Sequence, residues 1–221
     1  LLDIEYVSGR ISPEENFVFY FSGHGVGSNF LPTAEDSPEP AGRDRYDEWI
    51  FLYGSIDNGT IADKNAALTD DDLLALIERV NTAKRVVILD ACNSGGFIGS
   101  EVEIDLVPQN SNSGEEASFA DAVQKYFSNT VSYPADIPAS KALVLTAAGE
   151  QEDTYETSEL QHGIFTYYLL HAPFEADANT DGFVTAGECF SYASGMIEQQ
   201  WDFFEPRISG GPVDFVLFRT R

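Results

Sequence analysis

An α/β domain with a largely parallel central sheet, covered by helices on both faces, is the fold class that the sequence predicts. Three observations predict it. Two apolar runs, "NFVFYFS" (16–22) and "RVVILDAC" (85–92), each end in a glycine-rich turn, as buried strands do where they surface. Between them, "LTDDDLLALIERV" (68–80) repeats leucine and isoleucine at helical spacing. Strand, helix and strand in that order imply a crossover connection, and with it parallel pairing.

The other elements follow along the chain. Residues 26–48, rich in Pro, Asp, Glu and Gly, read as a surface loop. "WIFLYGS" (49–55) and "GTIAD" (59–63) read as a hairpin hinged at "IDNG". The helix over 68–80 starts with Thr69 and Asp72 in capping-box spacing. Residues 99–114 read as a linker, 115–128 as a helix, and "KALVLTAAG" (141–149) as a third buried strand. "GIFTYYLLHA" (163–172) has helical character and is expected to stop before Pro173, because proline lacks the N–H a helix needs. "GECFSYASGMIEQQW" (187–201) reads as another helix and "PVDFVLFR" (212–219) as a last strand. One domain accounts for the length.

The chain carries 37 acidic against 12 basic residues, a net charge of −25. Such a field repels nucleic-acid phosphates and attracts cationic peptides or metal ions. No apolar run reaches the length of a membrane span, and the two cysteines, Cys92 and Cys189, form no disulfide framework. Oligomeric state and compartment have no signature here, and no motif for an organic cofactor is present.

The chemistry-bearing residues lie at the two strand exits. In an open parallel sheet, functional groups gather beyond the carboxyl ends of the strands. His24 follows the first strand and Cys92 the second, each set among glycines. If these strands are neighbours, an imidazole and a thiol face one crevice, and the imidazole can raise the thiolate fraction. The N–H groups of Gly25 and Cys92 are candidates for an oxyanion hole. Asp90 lies two residues before the thiol, on the same strand face, and a carboxylate there would prefer a cationic substrate side chain. Its alternative role is to cap the turn that follows.

"DANTDGFVTAGE" (177–188) fits the EF-hand pattern D-x-[DN]-x-[DN]-G-x5-E. Asp177, Asn179, Asp181, the Phe183 carbonyl, Thr185 and Glu188 fall at the ligand positions, which predicts a Ca2+ site. Asp70 and Asp71, beside Asp72, form a weaker metal candidate, since acidic residues favour any first helical turn. Cys189 reads as core. His162 reads as the start of a helix.

"FYFSGHG" (19–25) and "LDACNSGG" (89–96) resemble the two signatures of the caspase-like cysteine peptidases, closest to the metacaspase and bacterial orthocaspase branch. "YDEWIF" (46–51) and "TDDDLL" (69–74) are similar to acidic stretches of metacaspases. The resemblance implies a three-layer α/β/α sandwich whose large-subunit-like part spans about 1–100. A linker of about 101–140 and a small-subunit-like part of about 141–221 follow, and the first strand of the fold is expected to be missing. It implies a Cys92–His24 dyad, an S1 pocket holding Asp90 and Ser22, and cleavage of polypeptides after Arg or Lys. It also implies calcium modulation, with Asp70 and Asp71 taking part, and self-processing in the linker, with Lys125 and Lys141 as candidate sites. Two alternatives stay open: a catalytically silent calcium-binding interaction module, and a caspase that cleaves after Asp.

Overall fold

The structure is a computed structural model of the chain. It describes residues 2–26, 48–53, 56–57, 60–61, 66–92, 94, 137, 141–149, 152–201 and 203–220. The expected loop over 27–47, the linker, the helix over 115–128, Lys125 and the Gly95–Gly96 turn lie outside the described residues.

The chain opens with a short helix, α1 (Leu2–Ser8), and then runs into β1 (Phe17–Ser22). A three-stranded antiparallel sheet follows, built from β2 (Gly25–Val26), β3 (Trp49–Phe51) and β6 (Ala67–Thr69) in the order β2-β3-β6. Between them β4 (Ile56–Asp57) and β5 (Thr60–Ile61) make a two-residue ladder. The "IDNG" hairpin therefore exists, but with shorter arms than the sequence suggests. Trp49–Phe51 is apolar and pairs with Gly25–Val26 and Ala67–Thr69 instead, which buries Ile50 and Phe51.

Helix α2 (Asp70–Glu78) starts where predicted, with the Thr69 hydroxyl accepting the Asp72 N–H at 3.0 Å. It leads to β7 (Arg85–Asp90), which is followed later in the chain by β8 (Leu143–Thr146). Two short strands, β9 (Glu156–Thr157) and β10 (His162–Gly163), pair antiparallel ahead of α3 (Ile164–Glu175). Next come β11 (Phe183–Thr185), α4 (Ala186–Gln200), β12 (Arg207–Ser209) and β13 (Val216–Arg219).

The central sheet has the order β1-β7-β8-β12. The β1–β7 and β7–β8 pairings are parallel, and β12 adds an antiparallel edge to β8. This is an α/β fold with a mostly parallel sheet. Side chains alternate along β7. Val86 and Ile88 join Leu145, Ile164, Phe165 and Ile197 in one cluster, while Val87 and Leu89 join Leu73, Leu74 and Ile77 in another. Full burial of each such side chain stabilises the fold by about 1.5–3 kcal/mol.

One expectation is corrected. Helix α3 continues through Pro173 to Glu175. The proline deprives the Leu169 carbonyl of its usual N–H donor, and the buried Cys189 thiol stands 4.0 Å from that oxygen. The last strand, β13, does not join the central sheet; it pairs antiparallel with β11. Its apolar pattern announces a strand but not its neighbour. Among the described residues no helix is long and apolar enough to cross a membrane.

Candidate active site

The parallel ladder of β1 and β7 ends with Ser22 opposite Asp90. The register makes the residues two places further on, His24 and Cys92, leave adjacent strands at the same level of the sheet. Backbone contacts hold them there. The Gly23 N–H donates to the Asp90 carbonyl at 3.0 Å, and the Phe51 N–H donates to the His24 carbonyl at 2.9 Å. Gly25 lies so close to the Cys92 carbonyl that a Cβ at this position would overlap it. A glycine is required here because any side chain would push the two strand exits apart. The candidate oxyanion donors, Gly25 and Cys92, thus sit on backbones that touch.

His24 is exposed and Cys92 half-buried. The Cys92 thiol donates to the Thr154 carbonyl at 3.5 Å. Burial, then the charge of Asp153, push the Cys92 thiol up to about 12, with Asp90 adding to the effect. The surroundings of the sulfur, taken alone, therefore oppose the thiolate that the Cys–His reading needs.

Asp90 is 2% exposed. Its Oδ2 accepts from the Thr166 N–H at 2.9 Å and from the Thr166 hydroxyl, and its Oδ1 accepts from the Thr154 hydroxyl at 3.3 Å. Thr166 stands in the first turn of α3, whose N-cap, Gly163, has no side chain to offer. Asp90 thus supplies the missing helix cap from the neighbouring strand. The Tyr20 hydroxyl lies 2.7 Å from Thr166 Oγ1, so β1, β7 and α3 meet in one hydrogen-bonded chain. Burial raises the Asp90 pKa against the lowering effect of the Thr166 bonds. Ser22, its register partner, is exposed at the end of β1. A concavity lined by Pro13, Arg79, Thr82 and Arg85 opens at the other end of β7, away from Cys92.

The 177–188 loop has the backbone its motif requires. Gly182 has φ +87° and Thr180 φ +58°. Asp177 accepts the N–H groups of Asp181 at 3.1 Å and Gly182 at 3.0 Å, and Asn179 accepts that of Asp181 at 2.9 Å. β11 and β13 brace the outgoing side. Asp177, Asn179, Asp181, the Phe183 carbonyl, Thr185 and Glu188 form an all-oxygen set, which suits a hard cation such as Ca2+. Glu188 is engaged in a capping box with Thr185, which holds its carboxyl below the usual range. Among the described residues no three His, Cys, Asp or Glu side chains gather into a metal-holding group. Asp70 is buried, and its carboxylate accepts the Glu48 N–H at 3.1 Å, tying α2 to β3; Asp71 is half-buried beside it.

Cys189 is buried core, as expected, and burial alone pushes its thiol up to about 12. His162 pairs with Thr157 just before α3 and lies apart from His24 in the chain's topology. Asp153 and Thr154 were not singled out by the sequence, although the Thr154 carbonyl accepts the Cys92 thiol and the Asp153 charge opposes its ionisation. In so acidic a chain, one more aspartate in "EQEDTYE" carries no signal of its own.

No family model and no curated protein matches the chain. Among solved structures, the crystal structure of protein GSU0716 from Geobacter sulfurreducens is similar, with TM-score 0.51 and 17% identity. The match covers 95% of this chain and 72% of that one. At that identity the likeness concerns the fold alone.

Proposed function

We propose that the chain is a caspase-like cysteine endopeptidase, of metacaspase or orthocaspase type, that cleaves after Arg or Lys. The carrying observation is the register that sets Ser22 opposite Asp90 and so brings His24 and Cys92 out of neighbouring strands together. The three-layer sandwich of that family is the finer form of the α/β fold described above, and Ser22 and Asp90 belong to its S1 pocket by resemblance.

In this reading Cys92 attacks the scissile carbonyl. Burial and the neighbouring carboxylate charge both push the resting thiol up, so they favour its protonated form. His24 removes the proton as the sulfur attacks, and returns it to the leaving amine. The N–H groups of Gly25 and Cys92 hold the developing oxyanion, each worth about 3 kcal/mol of transition-state stabilisation. The carboxylates around Cys92 favour a cationic substrate side chain. Asp177, Asn179, Asp181, Phe183, Thr185 and Glu188 would hold Ca2+, which would stiffen the turn between α3 and α4; Asp70 and Asp71 are the weaker second site.

Fluorogenic peptides ending in Arg, Lys and Asp, assayed with and without calcium, test the proposal against a Cys92→Ala control. Turnover of the Arg and Lys peptides that the control lacks is the expected result. Turnover of the Asp peptide alone would replace the specificity, and no turnover of any would leave the calcium-binding interaction module.

A further inference from the structure

One residue engages both reactive groups of the site. The Thr154 carbonyl accepts the Cys92 thiol at 3.5 Å, and the Thr154 hydroxyl donates to Asp90 Oδ1 at 3.3 Å. The nucleophile and the carboxylate assigned to the substrate cation are thus both occupied before a substrate arrives.

The two oxygens of Asp90 are not equivalent. Oδ2 accepts the Thr166 N–H at 2.9 Å and the Thr166 hydroxyl, and a Cβ on Gly163 would overlap it. A helical N–H cannot turn away, so this oxygen belongs to the fold. The donor to Oδ1 is a side-chain hydroxyl, which leaves by rotation about one bond. At 3.3 Å its bond is long for O–H···O, and a thiol is a weak donor, so both Thr154 contacts yield to a stronger partner.

The segment that carries Thr154 is pinned at its two ends. Residues 152–155 lie outside helix and strand. Glu152 Oε2 accepts the Gly149 and Glu205 N–H groups, both at 2.8 Å. The Tyr155 carbonyl accepts the Ile164 N–H at 2.9 Å, and the Tyr155 ring meets Phe203 edge-on with centroids 4.7 Å apart. Between these pins Thr154 spans Cys92 and Asp90.

Resting on the endopeptidase reading, we propose that Thr154 is a latch on the site. The Arg or Lys side chain of the substrate displaces its hydroxyl from Asp90 Oδ1, and the same movement draws its carbonyl away from the thiol. A charged donor binds a carboxylate about twice as strongly as a neutral one, which favours the exchange. Asp90 keeps its subsite role and α3 keeps its cap, because the cation takes Oδ1 alone. The 2% exposure of Asp90 describes the latched site. The cation that selects the substrate therefore also frees the nucleophile.

Two readouts test the latch. Thr154→Val keeps the shape and removes the hydroxyl, and Thr154→Ser restores it. KM for Arg and Lys peptides is expected to fall about 5-fold in Thr154→Val without a matching fall in kcat, the worth of one hydrogen bond that no longer has to be broken. Thr154→Ser should return KM to the wild-type value. A residue that only orients Asp90 predicts a rise in KM. The second readout needs no turnover. Methylguanidinium, too small to cover the sulfur, is expected to quicken iodoacetamide labelling of wild-type Cys92 about 5-fold, and neutral methylurea to leave it unchanged. An unchanged or raised KM in Thr154→Val, or labelling indifferent to methylguanidinium, overturns the latch; should the variant fail to fold, the labelling decides alone. A wild type that cleaves no Arg or Lys peptide removes the endopeptidase reading and the latch with it, a failure seen in turnover and not in labelling.

Discussion

Cys92 and Cys189 are both held near 12, but for different reasons. At Cys189 the cause is burial alone, inside a helix face packed against α3. At Cys92 burial is joined by the charges of Asp153 and Asp90, and the sulfur lies at a strand exit next to a backbone that carries an imidazole. Burial of a packed helix face is undone only by unfolding. A charge can be neutralised by a ligand, a proton or a single substitution. Burial thus acts on both thiols, and at Cys92 alone neighbouring charges add to it.

The comparison is sharpest in activity. Cys92→Ala is expected to lower turnover of an Arg peptide by more than about 10,000-fold. Cys189→Ala should leave kcat/KM nearly unchanged and cost about 1 kcal/mol in a urea melt. Equal activity loss in the two variants would break the distinction. Alkylation comes next. Iodoacetamide at pH 8, followed by peptide mapping, should label Cys92 in the folded protein about 100-fold faster than Cys189. The Cys92 rate should keep climbing through pH 10; a plateau below pH 8 would show a thiol already ionised by an imidazole at rest.

Calcium should act on the Cys189 side. At 100 times its dissociation constant, a bound ion adds about 2.7 kcal/mol to the stability of the folded state. The temperature at which Cys189 becomes alkylatable should rise accordingly, by about 5–10 °C, and Asp177→Ala should abolish the shift. A smaller effect is expected from Asp153→Asn, which removes a charge opposing the Cys92 thiolate. The Cys92 pKa should fall by about one unit, raising labelling at fixed pH several-fold, with Cys189 unaffected.

The smallest effect concerns Asp90. Its folded pKa is raised, so burial favours the protonated form. The stability linked to that proton is present at low pH and is lost as pH rises through the folded value. Asp90→Asn should therefore gain most on the wild type near pH 8, and the gap should shrink toward pH 3 in urea melts. A gap independent of pH would mean that the charge costs nothing where it is.

Much of this was legible before the fold was known. The strand runs 16–22 and 85–92, the capped helix at Thr69 and the loop 177–188 follow from periodicity and motif, because each is fixed by local chemistry. What was not legible depended on distant partners. The end of α3 was misplaced because Pro173 signals a stop, while the thiol facing the Leu169 carbonyl lies twenty residues further along the chain. Apolar alternation in β13 could not reveal that its partner is β11 instead of the central sheet. Helix α1 was missed because seven residues carry too little periodicity to register. The double duty of Asp90 depended on Thr166, and the nearness of Asp153 depended on how the chain turns after β8.

Helix α3 has a final consequence. Its first turn grips Asp90, and its last leads through Ala176 into Asp177, so one twelve-residue rod joins the sulfur's neighbourhood to the oxygen-lined turn. Such a rod is about 18 Å long, and a pivot of about 5° at one end sweeps the other through about 1.5 Å. That is half the length of a hydrogen bond such as the one between Thr166 and Asp90.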